Sequence, residues 1–242
     1  MELTEILWIV LVVAISSFAQ SIAGFGFGLL AVPLMTLMVD PHDAVVVATM
    51  IGTVSTVVQA VVDRENCEWP TARRLSLAAY VGMPLGLFAF VLVSESAMRL
   101  GLGVVVLVAT FILARGFVLV RRSRFLEWCM GMASGILSTS TSTNGPPLVF
   151  LLQARGMEPH TFRATLNSVF AITNCGAIVL FAGSGQIQMT GVIAAAVALP
   201  VLFLSLKIGY SLRPRVRAEQ FRSLVFGLLL LSGVSVLASA FV

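Results

Sequence analysis

Charged side chains are scarce in this sequence of 242 residues: 11% are Asp, Glu, Lys or Arg, and 58% are hydrophobic. A soluble domain usually carries roughly 25% charged residues. Five of the long stretches without a charged side chain each have room for at least one helix that spans the lipid bilayer, which needs about 20 apolar residues. Once spanning helices are placed in these stretches and in the apolar segments between them, little chain remains, which excludes a separate soluble catalytic or nucleic-acid-binding domain and predicts a multi-pass protein integral to the cell (plasma or inner) membrane. The stretches are 6–39, 44–62, 128–154, 164–206 and 223–242.

Residues suited to metal or redox chemistry are also few. The three cysteines, Cys67, Cys129 and Cys175, are widely spaced and show no metal-ligand pattern, so we expect neither a metal site nor a cofactor. None of the eleven acidic residues falls within a predicted membrane span, although cation transporters commonly use embedded carboxylates. This absence disfavours cation transport and favours a small anionic substrate that is held by hydroxyls, amides and helix ends.

The basic residues give a net charge of +4 and lie near the ends of the apolar stretches, which indicates membrane orientation rather than nucleic-acid binding. The stretch 6–39 is too long for one upright helix and is interrupted by Gly24, Gly26 and Gly28. If 6–39 and 128–154 each crossed once, the Lys and Arg residues would divide 7 to 8 between the two faces; if each is a hairpin that returns to its own face, they divide 14 to 1. The positive-inside rule therefore favours hairpins, with both termini extracytoplasmic.

Prolines recur in the same order in both halves of the chain, at offsets of 114, 118 and 116 residues: Pro33 matches Pro147, Pro41 matches Pro159 and Pro84 matches Pro200. The pattern predicts an internal duplication, and one hairpin plus three crossings per half inverts the second half in the membrane. We predict an all-α polytopic membrane protein with an inverted repeat. The first repeat, 1–122, has hairpin 6–39 and helices 44–62, 75–93 and 98–118; the second, 123–242, has hairpin 128–154 and helices 164–182, 187–206 and 221–242.

Both predicted hairpins contain residues that favour a break in the helix. The first has its three glycines, which tolerate tight backbone turns, and the second has a Ser/Thr run followed by Asn144, Gly145 and two prolines. Asn is typical of a helix N-cap and proline of the first helical turn. A half-helix that starts there directs its positive end at the membrane centre, where it favours an anion. The alternative is that these small residues only allow close helix packing.

The helices after the hairpins add polar side chains at helical spacing. Thr49 and Thr56 share one face in the first half, as do Arg163, Asn167 and Asn174 in the second. Arg163 could attract anions at the cytoplasmic mouth, or it could anchor the helix at the membrane surface, which is the commoner role. The candidate substrate-binding residues are Gln20, Ser21, Gly24, Gly26, Gly28, Thr49, Thr56, Ser138, Ser140, Ser142, Asn144, Gly145, Arg163, Asn167 and Asn174.

Two other kinds of function compete with anion transport. The sequence around Ser134 superficially suggests a nucleophilic serine, but His42 and His160 fall at predicted segment ends on opposite faces, so neither can activate it. We therefore expect no catalytic residue and no enzyme activity. A passive anion channel or a scaffold subunit stays open as an alternative, and no pattern specifies an oligomeric state.

The broken segments resemble the TauE/SafE sulfite exporter family, and the resemblance covers nearly the whole chain. It is carried by residues 20–28 followed by Pro33, and by residues 135–147 followed by residues 163–167. The resemblance implies a membrane permease with a duplicated domain that exports sulfite, sulfonates or related organosulfur anions. Together with the polar breaks, it predicts a secondary transporter that moves a small anion by alternating access at a mid-membrane site between the hairpins.

Overall fold

The computed structural model describes residues 2–115 and 123–212, together with Gly227, Leu230, Gly233, Val234 and Val236. The regular structure of these residues is entirely helical and includes one short 3-10 helix, Arg64–Asn66. The α-helices are α1 (Leu3–Ala23), α2 (Phe27–Met35), α3 (Pro41–Val62), α4 (Trp69–Leu92), α5 (Glu95–Arg115), α6 (Arg124–Thr141), α7 (Gly145–Ala154), α8 (Pro159–Gly183) and α9 (Met189–Leu212).

Five helices in the described part of the chain, α1, α3, α4, α8 and α9, are long and apolar enough to cross a membrane. Large apolar side chains such as Leu85 and Phe88 are exposed on α4, as expected for a surface in contact with lipid. The predicted all-α polytopic membrane fold is confirmed. Predicted residues 116–118 lie outside the described residues, as does the predicted helix 221–242 apart from the five isolated positions.

Helices α3 and α8 begin earlier than the sequence predicts, since the uncharged stretches place their starts at residues 44 and 164. α3 starts at Pro41 and α8 at Pro159, and proline suits the first helical turn because its missing N–H has no partner there. Asp40 caps α3, since its carboxylate accepts hydrogen bonds from the N–H groups of His42 (2.7 Å) and Asp43 (3.3 Å). Polar first turns therefore extend these helices beyond their apolar cores.

Helices α1 and α2 form a hairpin, hereafter hairpin one, whose tip is residues 24–26. The break contains Gly24 (φ +85°) and Gly26 (φ +98°), a left-handed backbone conformation that only glycine adopts without a steric penalty. The indole N–H of Trp8, near the start of α1, donates to the carbonyl oxygen of Leu34, near the end of α2, at 2.8 Å. The chain therefore returns to the end of the bundle from which it started.

Helices α6 and α7 form a second hairpin, hairpin two, whose tip is residues 142–144. Arg155, directly after α7, pairs with Glu127 in the first turn of α6, so α7 also returns to its starting end. Glu127 is 3% exposed and pairs with Arg74 of α4 as well, at 2.5 Å. Two cations thus compensate one buried carboxylate, which would otherwise be costly in the membrane. This cluster fixes the base of hairpin two against α4.

The two hairpins enter the bundle from opposite ends. α3 begins directly after hairpin one, and in its first turn His42 Nε2 lies 3.1 Å from the carbonyl oxygen of Phe90. Beyond the far end of α3, the N–H of Glu68 donates to Thr165 Oγ1 (3.0 Å) near the start of α8, and α8 follows the base of hairpin two. We call the hairpin-one end the outer end and the hairpin-two end the inner end, after the predicted orientation. That orientation and the internal duplication stay predictions.

Hairpin two is held against α4 by close backbone contact. α4 and α6 run parallel, and a Cβ on Gly135 of α6 would lie 1.9 Å from the carbonyl oxygen of Ala79, so no larger residue fits there. Nearer the tip, Thr139 Oγ1 donates to the carbonyl oxygen of Met83 at 2.7 Å. These contacts place the tip of hairpin two beside the tip of hairpin one, where a Cβ on Gly28 would lie 1.9 Å from the carbonyl oxygen of Ser142.

Candidate functional site

A small polar cavity lies where the two hairpin tips meet, and we call it the central cavity. The space that the centre of a water molecule can occupy is about 20 Å³, which is room for roughly one water molecule. None of the described lining residues is charged. Eight of the predicted site residues line it: Gln20, Gly26, Gly28, Thr56, Ser142, Asn144, Gly145 and Asn174.

Two helix N-termini face this cavity. α2 begins at Phe27 and α7 at Gly145, and both residues line the cavity. The first turn of a helix leaves N–H groups without intrahelical partners and carries a partial positive charge. Pro146 and Pro147 have no N–H, so α7 offers fewer backbone donors than α2. The sequence predicts an anion-favouring helix N-terminus in hairpin two only. The structure also places the N-terminus of α2, in hairpin one, at the cavity, and α2 has more free backbone N–H groups than α7.

Asn144 occupies the predicted N-cap position of α7, but its side chain does not cap the helix. Its backbone is helical (φ −67°, ψ −6°). Its amide nitrogen donates instead to Asn174 Oδ1 at 3.2 Å, with Thr173 Oγ1 at 3.4 Å. The side chain therefore reaches across to α8 and connects hairpin two to the helix that follows it.

The side-chain amide of Gln20, on α1, lines the cavity and is fixed in place by a hydrogen bond to its oxygen. Its Oε1 accepts a hydrogen bond from Ser55 Oγ at 2.7 Å, and Ser55 Oγ in turn accepts one from Gln59 Nε2 at 3.1 Å. All three side chains are buried. Because its oxygen is occupied, Gln20 can present its N–H groups to the cavity, and hydrogen-bond donors are what an anion requires.

Seven predicted site residues do not line the central cavity: Ser21, Gly24, Thr49, Ser138, Ser140, Arg163 and Asn167. Ser21 follows Gln20 by one residue, which is about 100° around a helix, so it packs on Gly209 of α9. Thr49 lies beside the cavity, with its Oγ1 3.0 Å from Ser142 Oγ. Ser138 is buried in α6, and its hydroxyl has no hydrogen-bond partner among the described residues.

Arg163 covers the inner side of the hairpin-one tip. A Cβ on Gly24 would lie 2.3 Å from Arg163 Cγ, so the alkyl chain lies directly over the tip. The Nε of Arg163 is buried and has no hydrogen-bond partner among the described residues. One turn further along α8, Asn167 is 1% exposed, and its Oδ1 also has no such partner. Both potential uses of Arg163, anion attraction and helix anchoring, are compatible with this position.

Sequence reasoning did not include six other lining residues: Phe27, Leu29, Ala48, Gly52, Thr143 and Phe170. Helical spacing could have identified two of them, since Gly52 lies one turn before Thr56 and Phe170 one turn before Asn174. The apolar Phe27 and Leu29 carry no chemical signal. The suspected nucleophile Ser134 donates its hydroxyl to the carbonyl oxygen of Asn144 at 2.8 Å, where it supports the tip of hairpin two.

Comparison with known proteins assigns the family. The sequence model described as "Sulfite exporter TauE/SafE" matches residues 9–236. The chain belongs to the TauE/SafE sulfite exporter family. The resemblance stated above is thereby confirmed, and membership together with the membrane-length helices makes the chain an integral membrane transporter of this family.

Two curated relatives show how far the similarity extends. The chain is 25% identical over 231 residues to "Probable sulfite/organosulfonate exporter TauE" of Cupriavidus necator, covering 93% of this chain and 90% of the relative. It is 32% identical over 102 residues to "Probable inner membrane transporter protein TsaS" of Comamonas testosteroni, covering 42% and 43%. No solved structure matches the chain.

Proposed function

We propose that this protein is a secondary transporter of the inner membrane that exports sulfite or an organosulfonate by exposing the central cavity alternately to the two ends of the bundle. The observation that carries the proposal is the composition of the cavity, which is lined by amides, hydroxyls and two helix N-termini and by no charged residue. Neutral donors in the lining can hold an anion with no carboxylate beside it to repel it.

The small volume of the cavity supports a carrier rather than an open channel. About 20 Å³ admits roughly one water molecule, and a sulfur oxyanion has several heavy atoms. Gly24 and Arg163 cover the inner side, while residues 142–144 cover the outer side. An anion can enter only if one hairpin tip moves, and movement of one tip at a time gives alternating access.

The relatives support the class of substrate. The Cupriavidus protein carries the name of a sulfite/organosulfonate exporter over nearly the full length of both chains. Sulfite and sulfonates share a sulfur atom bearing several oxygen acceptors, which matches a site built from N–H and O–H donors. The proposal therefore extends that substrate class to this chain.

Replacement of Asn167 by Ala tests the proposal with little risk to folding. Asn167 Oδ1 has no hydrogen-bond partner among the described residues, so we expect less than about 1 kcal/mol of destabilisation from the lost oxygen contact. We expect saturable sulfite flux in proteoliposomes containing the wild type and at least a tenfold lower flux in Asn167→Ala, because Asn167 is buried on α8 between Arg163, which covers the inner side of the cavity, and Asn174, which lines it, so that in this proposal an anion passes Asn167 on its way into the cavity. The matched control is Ser76→Ala in α4, which removes a buried hydroxyl that likewise has no hydrogen-bond partner among the described residues and that does not line the cavity. Equal flux in both variants, or no wild-type flux above empty vesicles, would contradict the proposal.

Cysteine labelling tests the orientation. The native cysteines are replaced first, so that only the introduced cysteine reacts. Cys67 would be a poor labelling site in any case, because burial raises the pKa of its thiol and so slows its reaction with a maleimide. Gln188→Cys, exposed in the loop before α9, should react in intact cells with a membrane-impermeant maleimide. Glu65→Cys, exposed at the opposite end, should react only after the membrane is opened. The reverse pattern would overturn the predicted placement of the termini.

A further inference from the structure

A second cavity lies on the outer side of hairpin two, and we call it the outer chamber. Water centres can occupy about 210 Å³ there, compared with about 20 Å³ in the central cavity. Its wall is formed by the last turn of α4, the first turns of α5 and the end of α6. The described wall is apolar apart from the hydroxyls of Ser140 and Thr141.

Among the described residues, the tip of hairpin two lies between this chamber and the central cavity. Thr141 lines the outer chamber and Thr143 lines the central cavity, yet their Oγ1 atoms are 2.6 Å apart. Between them, Ser142 has a left-handed backbone (φ +54°), the only such non-glycine residue in the described part of the chain. Left-handed conformations are unfavourable for serine, so a different conformation of the tip is accessible at a reduced cost.

The outer chamber opens at the outer end of the bundle. Ala97 and Gly101, two of its wall residues near the start of α5, are exposed. Phe90, also in its wall, contacts His42 at the base of hairpin one, with ring centroids 4.9 Å apart. A space that reaches from the outer end to the tip of hairpin two is where an anion would emerge if that tip moved.

The chemistry of the chamber suits release rather than retention. The hydroxyls of Ser140 and Thr141 can donate to an oxyanion, but no cation is among the described wall residues. Glu95, which shares a hydrogen bond with Asp40, lies two residues before Ala97, and Arg99 lies two residues after it, so the mouth carries charged groups of both signs. With two hydroxyls and no cation in its described wall, the chamber offers an anion few favourable contacts, which favours release over retention.

We propose that the outer chamber is the release compartment for the exported sulfur oxyanion, and that the segment Thr141–Thr143 is the barrier between it and the central cavity. This inference rests on the proposed function and adds the outward route to it. Ser140, which does not line the central cavity, then belongs to the same pathway one compartment further out.

Filling the chamber tests the inference. Gly101 lies in the chamber wall, and a Cβ there would meet nothing within 4 Å, so Gly101→Phe adds a ring at the wall without a steric clash at its Cβ. We expect at least a tenfold loss of sulfite efflux from proteoliposomes. The sulfite concentration that half-maximally stabilises the purified protein against heat should change by less than twofold, because the central cavity is intact. Gly183→Phe is the matched control, since a Cβ there also meets nothing within 4 Å and Gly183 lines neither compartment.

A chemical variant covers the case in which Gly101→Phe fails to fold. Ser140→Cys in a cysteine-free background is folded first and then alkylated with N-ethylmaleimide, which forms a thioether. We expect efflux to fall at least tenfold on alkylation and sulfite binding to persist. Undiminished efflux in Gly101→Phe or in alkylated Ser140→Cys, with an active wild type, would overturn the release compartment. Loss of binding together with efflux would also overturn it, because the two spaces would then act as one site. Absence of both binding and flux in the wild type would instead reject the proposed function.

Discussion

Replacement of Asn174 by Asp should reduce sulfite transport by roughly a thousandfold. The side chain keeps its shape but gains a carboxylate in a cavity whose described lining is uncharged. Two like charges about 4 Å apart repel by about 4 kcal/mol at an effective dielectric constant near 20, and each 1.4 kcal/mol is a factor of ten in affinity. The measurement is the initial rate of sulfite uptake into proteoliposomes at subsaturating concentration.

The control for this prediction is Gln153→Glu, which makes the same amide-to-acid change on an exposed residue near the end of α7. We expect that variant to transport within a factor of two of the wild type. If Asn174→Asp is monodisperse and transports at a similar rate, then the anion does not pass the central cavity, and the site assignment is wrong.

Replacement of Gly28 by Val should prevent the two hairpin tips from meeting. A Cβ at residue 28 would lie 1.9 Å from the carbonyl oxygen of Ser142 and 3.1 Å from its carbonyl carbon, and both are backbone atoms that cannot rotate away. Overpacking of this kind costs about 3 kcal/mol or more when the backbone must shift. We expect a large fall in the thermal stability of the detergent-solubilised protein and transport close to that of empty vesicles.

Gly183→Val gives the size-matched comparison, since a Cβ at residue 183 in α8 meets nothing within 4 Å. It should leave the thermal stability within about 1 kcal/mol of the wild type, which is the usual range for substitutions outside packed sites. A Gly28→Val protein with normal stability and normal transport would show that the contact between Gly28 and Ser142 is not part of the working structure.

The hairpins could be predicted because the physics of the bilayer acts on the sequence directly. An uncharged run such as 6–39 exceeds one membrane crossing, glycines mark its break, and the distribution of Arg selects the hairpin over the single crossing. The helix starts were less accessible, since Pro41 and Pro159 begin helices within polar segments that hydropathy does not register. The burial of Glu127 also could not be predicted, because its partners Arg74 and Arg155 are distant in sequence.

The sequence allowed the polar residues of the candidate site to be predicted, but not which compartment each neighbouring residue lines. Gln20, Asn144 and Asn174 attract attention because amides are rare within membrane spans, and all three line the central cavity. Ser140 and Ser142 could not be separated by sequence, although the left-handed turn at Ser142 places them in different compartments. That turn arises from the packing of the hairpins, since serine has no intrinsic preference for the conformation.

Sulfite counterflow tests the central claim most directly. Proteoliposomes loaded with unlabelled sulfite are diluted into medium with a trace of radiolabelled sulfite, and uptake of the label is followed. A carrier that exposes one occluded site alternately to each side exchanges internal for external anion, so we predict a transient overshoot of label that saturates with sulfite and is absent in Asn174→Asp. Label that only approaches equilibrium, at a rate that neither saturates nor depends on internal sulfite, would contradict alternating access and indicate a passive pore.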